Sequence, residues 1–192
     1  MSNTLDMPLY RNIFLYSQVT QDTMKDVTKE IIDINEDDKR LKHTLEALNM
    51  AYTPKPINIY IDSYGGMIYQ CFGLISVMED SETPVHTHVT GSAKSAGFLI
   101  LIHGHKRFAY EHSTPLYHQM SGGFYGTVKD AEVKVEEYKR LQKKIEEITI
   151  KKTNITKKKL KEILNTKTDW YMDSEEALKL GVIDEIIRKD NK

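Results

Sequence analysis

Apolar residues recur along this chain with two periods, and the switches between them outline the elements. Arg11 to Leu15 (RNIFL) reads as a short strand. From Thr20 to Ile34 the apolar residues Met24, Val27, Ile31 and Ile34 stand three and four apart, which is one face of a helix. The charged run Asn35 to Arg40 (NEDDKR) reads as a break, with helix resuming over Lys42 to Ala51 and ending before Pro54 and Pro56. Ile57 to Ile61 (INIYI) alternates and is rich in β-branched residues, as a strand requires. Gly65-Gly66 opens a helix through about Met78, and Pro84 precedes a strand over Val85 to Val89. Gly91 precedes a small-residue helix start and the apolar stretch FLILI. Phe108 to Tyr110 and Leu116-Tyr117 are short strand candidates.

The second half is dominated by a long helix, Thr127 to Lys152. Its apolar residues Val128, Ala131, Val135, Tyr138, Leu141, Ile145 and Ile148 form one stripe on an otherwise charged surface. A stripe on a lone helix has to be buried somewhere, and a partner helix is the natural place. A shorter helix follows from Thr156 to Leu164, with Thr156 as N-cap. A last helix starts at Ser174, taken as its N-cap, and stops at Gly181. Val182 to Ile187 closes the chain as a strand. Strands alternating with helices predict an α/β fold, and 192 residues fit one domain.

Composition narrows the function. Lys and Arg number 27 against 28 Asp and Glu, so there is no basic footprint for nucleic acid and no attraction to an anionic membrane. The longest apolar run, Ala96 to Ile102, is too short to span a bilayer. The sequence MSNTLDMPLYRNIFLY lacks the basic and apolar regions of a secretory signal. Cys71 is the one cysteine, so no disulfide forms within the chain. A cytoplasmic location is the expectation from these features.

Four segments can carry chemistry. Asp62-Ser63-Tyr64-Gly65-Gly66 follows a strand, and paired glycines there let backbone N–H groups approach a ligand or simply form a tight turn. Gly91-Ser92-Ala93-Lys94-Ser95-Ala96-Gly97 follows another strand. Small neighbours leave room at Ser95 for a substrate carbonyl, although Ser92 or Ser95 would serve equally as a helix cap. His118 stands before Gln119-Met120-Ser121-Gly122-Gly123, one of seven histidines. Asp169 precedes Trp170-Tyr171-Met172 and competes with Asp173 and Asp184 for any role in orienting an imidazole. A serine needs a base, and the base an orienting carboxylate, so Ser, His and Asp make a chemically complete set. Chain order alone does not select them, because triads occur in several orders on unrelated folds. Lys94 invites a Ser-Lys dyad, but adjacent residues on a helix point to different faces.

Taken together the segments resemble the proteolytic subunit of Clp proteases, the ClpP-like serine peptidases. Ile59 to Gly66 looks like that family's strand and N-S-P-G-G turn, and Gly91 to Gly97 like its G-x-A-x-S-M-G motif. Leu116-Tyr117-His118-Gln119 looks like I-H-Q-P, with Gly122, Gly123 and Gly126 matching the glycines that follow. Thr168 to Met172 looks like R-D-x-x-[ML], and Glu176 to Asp184 like the closing E-A-x-x-Y-G-L-[IV]-D. The resemblance runs from Arg11 to the end with all motifs in order. It implies a Ser95–His118–Asp169 triad, oxyanion donors at the N–H groups of Gly66 and Ala96, and neither metal nor cofactor. It implies a ClpP/crotonase-type superhelix of repeated ββα units over residues 1–192. The helix 127–152 would be a handle interlocking two stacked heptameric rings, and peptides or unfolded proteins would be the substrates. Departures are Tyr64 for the turn proline, Lys94 and Ala96 beside Ser95, and Met120 for the proline after H-Q. Residues 35–52 lengthen the region before INIYI, and a short segment, residues 1–10, stands where the family has an axial hairpin that helps engage an AAA+ unfoldase. Coupling to such an ATPase is therefore the least direct implication, and a phage-type protease working without one is a variant reading. A crotonase-like acyl-CoA enzyme and a non-catalytic ClpP-like ring subunit are the alternatives from other classes.

Overall fold

The computed structural model describes residues 10–189. The expected N-terminal segment 1–10 lies outside the described residues except for Tyr10. Among these residues seven strands and six helices follow in the order β1 (Asn12–Leu15), α1 (Gln21–Ala47), β2 (Ile57–Ser63), α2 (Ile68–Asp80), β3 (Val85–Lys94), α3 (Ala96–Leu101), β4 (Lys106–Tyr110), β5 (Thr114–Tyr117), α4 (Val128–Lys152), α5 (Lys157–Thr166), β6 (Trp170–Tyr171), α6 (Ser174–Lys179) and β7 (Glu185–Ile187). Strands β1, β2, β3, β4 and β7 lie side by side and pair in parallel. The α/β class is as predicted, and the sheet is parallel-dominated. No helix among the described residues is long and apolar enough to cross a membrane.

Alternation sets the core. Ile57, Ile59 and Ile61 of β2 face inward with Ile13 and Leu15 of β1, and the α1 stripe Met24, Val27, Ile31 and Ile34 is buried with them in the same cluster. On the other side of the pleat, Phe14, Tyr60, His88 and Phe108 stand at paired positions on four adjacent strands, and their rings stack in a row with centroids 5.3, 4.9 and 4.5 Å apart.

Three expectations need correction. The charged run 35–40 is no break: α1 continues through it as one helix of 27 residues. Asp38 takes the next inward position, four residues after Ile34, and is buried. Its carboxylate pairs with Arg11 and accepts hydrogen bonds from Thr83 Oγ1 (2.6 Å) and Tyr52 Oη (2.5 Å). Burial pushes the Asp38 carboxyl up, but bonds from Arg11, Thr83 and Tyr52 outweigh it and hold the group below its ordinary value. Second, β3 does not end at Val89. It runs through Gly91 to Lys94, and the helix begins only at Ala96. Third, the N-cap of α6 is Asp173, whose side chain accepts from the Glu176 N–H at 2.7 Å; Ser174 is its first helical residue. Thr156 caps α5 as expected, and Gly181, at φ +63°, follows α6.

Candidate active site

The long strand β3 positions the site because its two halves have different neighbours. His86 to Val89 pair with β4, whereas Ser92 to Lys94 pair with β5. The Ser95 N–H then donates to the Leu116 carbonyl at 3.2 Å, tying the residue after β3 to the end of β5. His118 is the first residue past β5. The short strand β6, which the sequence pattern did not reveal, pairs antiparallel with β5 through Leu116–Tyr171 and Tyr117–Trp170. One step further along that ladder stand His118 and Asp169. Their side chains approach to 4.0 Å, Nδ1 to Oδ1, with the imidazole mostly buried and the carboxylate 56% exposed.

Ser95 has φ +54° and ψ −119°, a backbone conformation that L side chains rarely adopt. It occupies the N-cap position of α3, yet its side chain makes no capping bond. Ser92 is not a cap either: its N–H and hydroxyl both donate to Asp62 Oδ1 within β3. Capping therefore accounts for neither serine. Opposite Ser95 lies the glycine turn. A Cβ on Gly65 would stand 2.6 Å from the Lys94 carbonyl, 2.8 Å from Ser95 Cβ and 2.9 Å from Ala96 N, and its φ is +91°. Only glycine fits, and it lets the two turns touch. The turn is pinned by Val19, which donates to the Gly65 carbonyl and accepts from the Met67 N–H, both at 2.8 Å. Among the described residues, neither the Gly66 nor the Ala96 N–H has a protein acceptor. Beneath them, the buried Cys71 thiol donates to the Ala96 carbonyl at 3.3 Å, and burial pushes that thiol far up in pKa.

A cavity of about 420 Å³ opens at this junction. Gly66, Ser95, Ala96 and His118 line it together, with apolar walls from Ile68, Phe98 and Leu141 and with Lys134 and Tyr138 of α4. Asp169 is outside the lining. The competing groups are engaged elsewhere. Asp173 caps α6, and Asp184 forms a bidentate pair with Arg107. His103 is buried with Nδ1 against the Leu99 carbonyl. Burial between Tyr60 and Phe108 holds the His88 imidazole down at about 4, so that ring is neutral near pH 7. Of the seven histidines, His118 shares the cavity with Ser95.

Beside this site, Lys94 lies over the rings of Tyr64 and Tyr171, at 4.5 and 5.6 Å from their centroids. Its ammonium thus faces two aromatics, while Ser95 opens to the cavity. Sequence reasoning singled out Lys94 and Tyr64 as departures without relating them. Compared with known families, the sequence matches the family model described as Clp protease over residues 4–190.

Proposed function

Because the chain belongs to the Clp protease family, we propose that it is a serine endopeptidase in which Ser95 is the nucleophile, His118 the base and Asp169 the orienting carboxylate. The observation that carries this reading is Ser95 itself: a strained serine, free of any capping bond, on the wall of a cavity that His118 also lines. Ser95 Oγ attacks the scissile carbonyl carbon and passes its proton to His118 Nε2. Asp169 faces the other ring nitrogen, and shortening of the 4.0 Å gap would stabilise the imidazolium. The negative charge developing on the carbonyl oxygen is met by the N–H groups of Gly66 and Ala96. His118 then protonates the leaving amine, and water attacks the acyl-enzyme by the same route in reverse. The apolar cavity walls suit an extended peptide with an apolar side chain beside the cleaved bond.

The remainder of the proposal concerns assembly. The exposed apolar residues of the first half of α4 support association of copies through this helix, into stacked rings whose sites face an enclosed chamber. The sequence has no G-x-x-x-x-G-K-[ST] phosphate loop, so folded substrates would need a separate AAA+ unfoldase. A reducing compartment, the cytoplasm, suits a protein with a single buried thiol.

The test is labelling with a fluorophosphonate followed by mass spectrometry. The probe is expected on Ser95, and Ser95→Ala is expected to lose both labelling and peptide hydrolysis while keeping its fold. Hydrolysis at the wild-type rate by Ser95→Ala would overturn the assignment. No labelling and no peptide hydrolysis by the wild-type protein would favour an acyl-CoA enzyme that relies on a backbone oxyanion hole alone.

A further inference from the structure

His118 sits just beyond the reach of the sheet. The last β5–β6 pair is Tyr117–Trp170, and residues 118–127 run to the start of α4 without regular structure. A base on such a segment needs another support, and one side chain supplies it. The Met120 N–H donates to Gln142 Oε1 at 2.8 Å, and Gln142 Nε2 donates to Tyr117 Oη at 3.3 Å. The planar amide of Gln142 thus spans from the residue before His118 to the second residue after it. A third contact, Gln142 Nε2 to Glu146 Oε1 at 3.2 Å, fixes which end of the amide is which: the NH2 faces the carboxylate and the oxygen faces Met120. The far end of the strut is rigid, since Tyr117 is buried and packs edge-on against Phe98 with centroids 5.7 Å apart. Tyr138, one turn earlier on α4, adds a bond from its hydroxyl to the Gly123 carbonyl at 3.2 Å.

We propose that Gln142 is a positioning residue for the peptidase reaction: it ties the backbone N–H of Met120, after His118, to the buried side chain of Tyr117, before it, and so couples α4 to the placement of the base. The inference rests on His118 being that base. Ring placement matters because the Nδ1–Asp169 distance sets how strongly the carboxylate favours the protonated imidazole, and small misplacements of a base are costly in rate.

Gln142→Met removes both hydrogen bonds at nearly constant volume and keeps a good helix former. It is expected to slow fluorophosphonate labelling of Ser95 and to lower kcat on a fluorogenic peptide, each on the order of tenfold to a hundredfold, with KM within about twofold. The acid limb of the labelling rate against pH is expected to move, which mere loss of stability would not cause. Gln142→Glu combined with Glu146→Gln keeps an acceptor for the Met120 N–H without opposing two carboxylates, and is expected to recover most of the rate. Wild-type labelling, kcat and pH profile in a folded Gln142→Met would overturn the proposal. If Gln142→Met does not fold, Tyr117→Phe decides, since it removes one anchor and leaves the apolar core: slowed labelling supports the strut and wild-type labelling overturns it. His118→Ala, run in parallel, separates the two readings. Unchanged labelling in His118→Ala would mean the base is misassigned; lost labelling there with wild-type behaviour in Gln142→Met would mean that only the strut is wrong.

Discussion

Ser95 combines two properties that conflict in any ordinary residue. Its positive φ would suit glycine, and its hydroxyl has no structural task. Holding a non-glycine residue in this conformation costs about 1–2 kcal/mol, which the fold has to offset elsewhere. Ser95→Gly is therefore expected to be as inactive as Ser95→Ala yet more stable than it by about 1–2 kcal/mol. Urea unfolding of the two purified variants checks this, and equal midpoints would mean that the turn relaxes once the hydroxyl is gone. Ser95 stood out in the sequence as a candidate because small residues cluster around it. The strain was not, since backbone angles follow from β3 continuing to Lys94 and from the Ser95–Leu116 bond, which join distant segments. His118 and Asp169 stood out as candidates only through the motif pattern. What sets them opposite each other is the two-residue strand β6, too short to leave any period in the sequence.

Among the elements, α1 shows best why periodicity fails where a charge is buried. Its apolar stripe steps from Ile34 to Asp38, and a carboxylate at an inward position looks like the end of the stripe. The partner that makes this position tolerable, Arg11, lies 27 residues away. Both side chains are nearly excluded from solvent, and removing one leaves the other unpaired. Asp38→Ala is expected to destabilise the protein by about 3–5 kcal/mol. Asp33→Ala, which breaks the exposed Lys29–Asp33 pair on the same helix, is expected to leave the stability nearly unchanged. Denaturant titration of both variants measures the difference, and near-equal losses would show that the Arg11–Asp38 contact is not what carries α1 past residue 35. The extra length of α1 is thus tied to the start of β1 and to Thr83 before β3. The helix α4 was legible throughout its length, but its stripe is used in two ways. Leu141 and Ile145 are buried against the body, whereas Val128 is 79% and Val135 44% exposed.

At the scale of the whole molecule, that half-used stripe decides between an isolated subunit and an assembly. Scattered exposed apolar residues are ordinary, but Val128 and Val135 lie two turns apart on one helix, with Phe124 and Tyr125 exposed just before it. Copies of the chain that cover one another's α4 would remove this surface from water, and rings built so would turn the Ser95 cavity toward an interior. Two measurements on the pure protein follow. Light scattering is expected to give a particle many times the 22.2 kDa of one chain. Hydrolysis is expected to be measurable for a short fluorogenic peptide, slower for a disordered protein such as casein, and absent for a stable fluorescent protein, with or without ATP. Enclosure explains that order, because only an extended chain threads into a chamber. A catalytic defect would instead lower all three rates together. Rapid destruction of the folded fluorescent protein by this chain alone would mean that the cavity is open to bulk solvent. A monomer well above micromolar concentration that still cleaves the peptide would mean that the site is complete without assembly, and that the apolar half of α4 serves some other contact.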